Sequence, residues 1–187
     1  DGQPVTPHAP DGDIVVIGPA MRVDLVIDMT GKPGEVVTVT DAFYEGLEYR
    51  LVDLAYGPDK LRDSVPDWPM DLPPNPLVEP DMASAARHQI VFNGGMMGQM
   101  MMGSGMGSMM DQMREGNMWF INGEAATGHM MDPLLVLPQG TSHVFEMDNR
   151  TAWHHPIHFH GHSFRVIARN GQPTRYREWQ DTVLMAP

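Results

Sequence analysis

The sequence predicts an all-β protein, and three observations carry that expectation. Short runs rich in Val, Ile and Thr recur between clusters of Gly, Pro, Asp and Asn, the pattern of strands and turns. Apolar residues at helical spacing are scarce. The densest chemical feature of the chain, a histidine cluster, leads into a further strand-like run and an Asn-Gly turn signal.

The elements follow in order. Asp13-Ile14-Val15-Val16-Ile17 and Arg22-Val23-Asp24-Leu25-Val26-Ile27-Asp28 read as strands on either side of Gly18-Pro19. In the second, Val23, Leu25 and Ile27 alternate with Asp24, Val26 and Asp28, as in a strand with one face inward. Gly34 to Thr40 and Glu48 to Leu54 supply two more strands, so residues 1–56 form a first β unit. Pro58, Pro66, Pro69, Pro73, Pro74, Pro76 and Pro80 crowd the next stretch. Each proline removes a backbone donor and fixes φ, so 57–86 is expected to be an extended linker. His88-Gln89-Ile90-Val91-Phe92 begins a second β unit over 87–187, which continues through Trp119-Phe120-Ile121-Asn122-Gly123. Ser163 to Ala168 reads as strand, Asn170-Gly171 as a turn, and Thr182-Val183-Leu184-Met185 as a last strand-like run.

The segment from Trp153 to His162 holds His154, His155, His158, His160 and His162, out of nine histidines in the chain. Neutral imidazole is a common ligand for copper, zinc and iron, so this density points to a metal site. Side chains alternate faces along a strand. A regular strand places His158, His160 and His162 on one face and His155 on the other, so one segment can feed two sites. A purification-tag-like surface run does not interleave Pro156, Ile157 and Phe159. A zinc or iron cupin also uses H-x-H on a strand, but cupins expect a Glu a few residues on, and the first acidic residue after His160 is Glu178.

Residues 96–118 form a methionine-rich insert with Gly and Ser between the methionines. Thioether is a soft donor that selects Cu(I). Met96, Met97, Met100, Met101, Met106, Met109, Met110, Asp111 and Met113 are the candidate ligands for substrate copper. The competing reading is an apolar surface that packs against a partner or a neighbouring domain.

The formal net charge is −12, from 12 basic and 24 acidic residues. Nucleic-acid binding, which wants basic patches, is not expected. No run is long and apolar enough for a membrane span.

His155-Pro156-Ile157-His158-Phe159-His160-Gly161 resembles the H-P-x-H-x-H-G signature of the last cupredoxin domain of multicopper oxidases, which include laccases and bacterial copper-efflux oxidases. Trp119 to Gly123 resembles the family's W-x-I-N-G segment, and Trp179-Gln180-Asp181-Thr182-Val183 its W-x-D-T-V segment. Asp1 to Val5 with Ile17 to Asp28 resembles the second half of the middle domain. The resemblance implies two cupredoxin-like Greek-key β-sandwiches, both truncated. It also implies copper of types 1, 2 and 3 as cofactor. His155 would ligate the type 1 copper, His158 the type 2 copper and His160 one of the type 3 pair. His154 and His162 fall outside the ligand positions. Dioxygen would be reduced to water while Cu(I) or a phenolic molecule is oxidised, in a periplasmic or secreted protein. Efflux oxidases carry a similar methionine-rich insert, although the Asp and Met that some place just before the histidine motif are here Thr151 and Trp153. Trp153 instead suits an aromatic-substrate pocket.

The chain contains no cysteine, and a blue-copper site needs one. The resemblance therefore implies that missing segments of a parent chain supply the rest. The family's H-C-H segment would lie downstream and its first domain upstream. The chain by itself is expected to be inactive. The alternative is a non-catalytic copper-binding or storage module built on the methionines and histidines.

Overall fold

A computed structural model describes residues 2–64, 67, 70–95, 116, 118–125 and 132–187. The fold is all-β. Its strands in chain order are β1 (Val36–Asp41), β2 (Tyr49–Ala55), β3 (Ala86–Gly94), β4 (Trp119–Ile121), β5 (His143–Asn149), β6 (His155–His158), β7 (Phe164–Arg165), β8 (Ala168–Arg169), β9 (Gln172–Pro173), β10 (Trp179–Gln180) and β11 (Thr182–Met185). One 3-10 turn, Asp11–Asp13, is the helical element among the described residues, and no helix there is long and apolar enough to cross a membrane.

Internal contacts divide the chain into two compact units, 1–75 with 161–181, and 76–160 with 182–187. In the first, β1 and β2 pair antiparallel with a register shift between Val39 and Thr40. β7 pairs with β10, where the Arg165 guanidinium lies 4.6 Å above the buried Trp179 ring. β8 and β9 form a hairpin around Asn170 and Gly171, at φ 48 and 75. Those left-handed values are what an Asn-Gly hairpin turn requires.

The second unit holds β3 between β4, antiparallel, and β5, parallel. Ile90 from β3 and Phe120 from β4 are buried there, together with Val183 from β11. Asn122, at φ 51, explains the N-G of the W-x-I-N-G segment. Its side chain accepts from Val91 N–H at 2.7 Å and donates to Gln89 C=O at 3.1 Å, so it finishes β4 by bonding the edge of β3. A Cβ at Gly94 would collide with the Met118 carbonyl oxygen, so only glycine fits there.

Two local expectations fail. Asp13–Ile17 and Arg22–Asp28 join no ladder among the described residues, and Ile14 and Val26 stay 69% and 64% exposed. Alternation marks a face able to be buried, but a strand also needs a neighbour to bond. Ser163–Ala168 is likewise two short strands. The Val166 and Ile167 carbonyls accept from Thr174 Oγ1 and N–H, which draws the chain into the β8–β9 hairpin.

Candidate metal centre

The loop from Asn149 and the strand β6 place the histidines. Pro156 fits β6 because this strand pairs on one side only among the described residues, with β11, from His155↔Met185 to Thr182↔His158. Burial alternates along β6: His155 and Ile157 are half-buried while Pro156 and His158 are exposed. Phe159 continues the inward set, its ring 5.3 Å from that of Phe145. The opposite parity of His155 and His158 is therefore realised. The strand stops at His158, however, and Gly161 at φ 72 turns the chain, so His160 occupies a turn. His154 and His162 are exposed.

On the inner face, His155 stacks near Phe92 at 5.9 Å and meets the Trp119 ring edge-on at 5.3 Å. Burial lowers its pKa below the ordinary histidine value, and the charge of neighbouring His154 lowers it further. The ring is thus held neutral, the protonation state a metal needs. Its Nε2 lies 2.7 Å from Thr151 Oγ1. On the outer face, the His158 and His160 ring centroids are 4.8 Å apart at an interplanar angle of 64°. His158 Nδ1 lies 2.9 Å from Thr182 Oγ1, and Thr182 is fully buried. Each of these two strand histidines thus has one ring nitrogen on a threonine hydroxyl. Metal-binding histidines commonly bond an oxygen through the ring nitrogen that faces away from the ion.

The donor set fits copper: imidazoles of a neutral and a solvent-facing kind, on opposite faces of one strand. Among the described residues no group of three or more His, Asp or Glu side chains gathers for a metal ion. The candidate substrate-copper residues Met96, Met97, Met100, Met101, Met106, Met109, Met110, Asp111 and Met113 lie outside the described residues.

Sequence reasoning gave Thr182 no task beyond its place in W-x-D-T-V, and Thr151 only as a departure from the family pattern. Both prove to be hydrogen-bond partners of the histidines. It also missed a second histidine pair, His88 and His143, whose Nε2 and Nδ1 are 3.0 Å apart. They are 55 residues apart in the chain, and only the parallel β3–β5 register brings them together.

The all-β fold, with histidines on and just after one edge strand, is of the cupredoxin-like class. The comparisons narrow the class. The family model described as multicopper oxidase matches residues 93–187, about half the chain. Multicopper oxidase MmcO of Mycobacterium tuberculosis (strain ATCC 25618 / H37Rv) is 29% identical over an alignment of 209 residues, covering 100% of this chain and 33% of that protein. The solved structure of a multicopper oxidase from Campylobacter jejuni, a metallo-oxidase, matches at a TM-score of 0.54 and 20% identity. That match covers 83% of this chain and 33% of the other. The chain belongs to the multicopper oxidase family, whose cofactor is copper. It spans about a third of the length of the relatives it matches.

Proposed function

We propose that this chain is part of an oxidase in which His155 ligates the copper that receives electrons, and His158 and His160 ligate the cluster that reduces dioxygen to water. The observation that supports this most is the division of β6. One strand presents His155 near Phe92 and Trp119 on one face and His158 on the other, and His160, in the turn that follows, lies beside His158. Two metal sites fed by His155 and His158, three positions apart on one strand, are joined by a short covalent path, which suits electron transfer between them. The family model's match to 93–187 supports reading 87–187 as one cupredoxin domain, with 1–56 belonging to the domain before it.

Copper supplies the one-electron chemistry when bound. The protein's own residues do the rest. Phe92 stacks on the His155 ring and Trp119 meets it edge-on, so together they shield one side of it in part from water. Thr151 and Thr182 hold one nitrogen each of His155 and His158. Ile157 and Phe159 anchor the inner face, so the outer pair keeps its direction.

The substrate in this reading is Cu(I), captured by the methionines of 96–113, with phenolic molecules as a second class. Soft thioethers in a Gly- and Ser-rich segment support the cuprous side. A periplasmic or secreted location goes with that chemistry. Three histidines without a cysteine do not close either site, so the chain alone is inactive. The test compares this chain with its full-length parent. The chain should show no blue thiolate-to-copper absorption and no oxygen consumption, and the parent should show both. Deleting 96–113 in the parent should impair cuprous oxidation more than phenol oxidation. Equal loss with both substrates would refute the methionine assignment, and turnover by the isolated chain would refute the incomplete-site argument.

A further inference from the structure

Beyond the ligands themselves, the loop before β6 contains a hydrogen-bond relay with a single consistent set of proton positions. Its fixed end is Asn149, the half-buried last residue of β5. The Asn149 amide nitrogen lies 2.7 Å from Trp153 C=O and 2.9 Å from Ala186 C=O. Carbonyl oxygens only accept, so the NH2 must face both of them and the amide cannot be flipped. Asn149 Oδ1 is then an acceptor. It takes the Thr151 N–H at 3.1 Å and the Thr151 hydroxyl at 2.8 Å.

Thr151 has one hydroxyl proton. Asn149 Oδ1 cannot donate, so its 2.8 Å contact needs that proton, whereas His155 Nε2 can supply its own; the contact to Trp153 C=O is the longer one at 3.3 Å. Its oxygen can therefore only accept from its remaining neighbours. Those are the Trp153 N–H at 3.2 Å and His155 Nε2 at 2.7 Å. One donation and two acceptances fill the hydroxyl's capacity. A contact of 2.7 Å between Oγ1 and Nε2 then requires the proton on the ring nitrogen. Thr151 is 5% exposed, so water does not compete easily for these positions.

We infer that Asn149, acting through Thr151, is a positioning residue that fixes His155 as the Nε2–H tautomer and so turns the Nδ1 lone pair toward the metal. The proton placement stands on the hydrogen bonds alone. Its use in copper binding rests on the function proposed above. The same relay reaches the residue after β11 through the Ala186 carbonyl, at the end of the β6–β11 ladder where His155 pairs with Met185.

The test uses this chain labelled with 15N-histidine, free of metal, at about pH 8.5 where imidazoles are neutral. Long-range 1H–15N correlation reads which ring nitrogen carries the proton, and His155 is assigned by its loss in His155→Gln. Wild type should show Nε2–H. Thr151→Val should lower the preference for that tautomer about fivefold, the ratio that a hydrogen bond of ~1 kcal/mol sets. Thr151→Ser should restore it. Asn149→Ala should move His155 in the same direction as Thr151→Val, although Asn149 does not bond the ring. A structural role alone would not transmit that change. Should Asn149→Ala lose its dispersed backbone spectrum, Asn149→Leu decides: it fills the same volume, removes the acceptor for Thr151 and should move His155 as Thr151→Val does, and an unmoved His155 there would overturn the role of Asn149. Nδ1–H in wild type, or a His155 signal indifferent to Thr151→Val, would overturn the inference. Adding diamagnetic Cu(I) to the wild-type sample separates the two claims. A shift at Nδ1 supports the ligand reading, and an unmoved Nδ1 with the expected tautomer removes that reading while leaving the relay in place.

Discussion

Thr182→Val isolates what a hydroxyl does for His158. Thr182 is fully buried, pairs with His158 across the β6–β11 ladder and places Oγ1 2.9 Å from Nδ1. Valine keeps the branched shape and removes that bond. The fold loses one neutral hydrogen bond, worth about 1 kcal/mol, and His158 is exposed enough to find water instead. For a protein of 150–250 residues that is a drop of about 2–4 °C in Tm. The effect on metal is larger. Removing the partner that orients a ligating histidine commonly costs about 10–100-fold in affinity, equivalent to about 1.4–2.7 kcal/mol. Cu(II) titration of the chain, followed by quenching of tryptophan fluorescence, should therefore show weaker binding at nearly unchanged stability. Thr182→Ser should recover most of the affinity. Equal Cu(II) affinity in wild type and Thr182→Val, with His158→Ala alone reducing it, would refute the claim that Thr182 orients the ring.

Two further outcomes follow from packing and protonation. Phe120 is 1% exposed in the β4–β3–β5 sheet, so Phe120→Ala should lose about 3–5 kcal/mol in a denaturant titration, and a loss under about 1 kcal/mol would contradict its place in the core. His155 has its pKa lowered by burial and by His154, so the unfolded chain binds its proton more readily than the folded one. The stability from its neutral ring is full above the ordinary value of 6.5 and is lost as the pH falls below it toward the folded pKa. Urea midpoints above and below that value should show a smaller acid loss in His155→Gln than in wild type, and identical losses would contradict the burial argument.

Much of the fold was legible because local pattern carries it. The Val and Thr run of β1, the Ile-Val-Phe run of β3 and the Asn-Gly turn between β8 and β9 each encode their own geometry. The opposite faces of His155 and His158 follow from the two-residue period of a strand. What escaped is what depends on a distant partner. Val23, Leu25 and Ile27 have the pattern of a strand but join no ladder among the described residues, because pairing is not written in one segment. Thr182 reaches His158 across 24 residues by register alone. The Asn149–Thr151 relay depends on how a loop folds back on Ala186, for which no spacing rule gives a signal.

The proposed division of β6 between two copper sites is tested most directly in the full-length parent by visible absorption and electron paramagnetic resonance of two single variants. His155→Ala should abolish the blue absorption and leave the type 2 signal, while His158→Ala should remove the type 2 signal and leave the blue absorption. Loss of both features in each variant, or the reverse pairing, would contradict it.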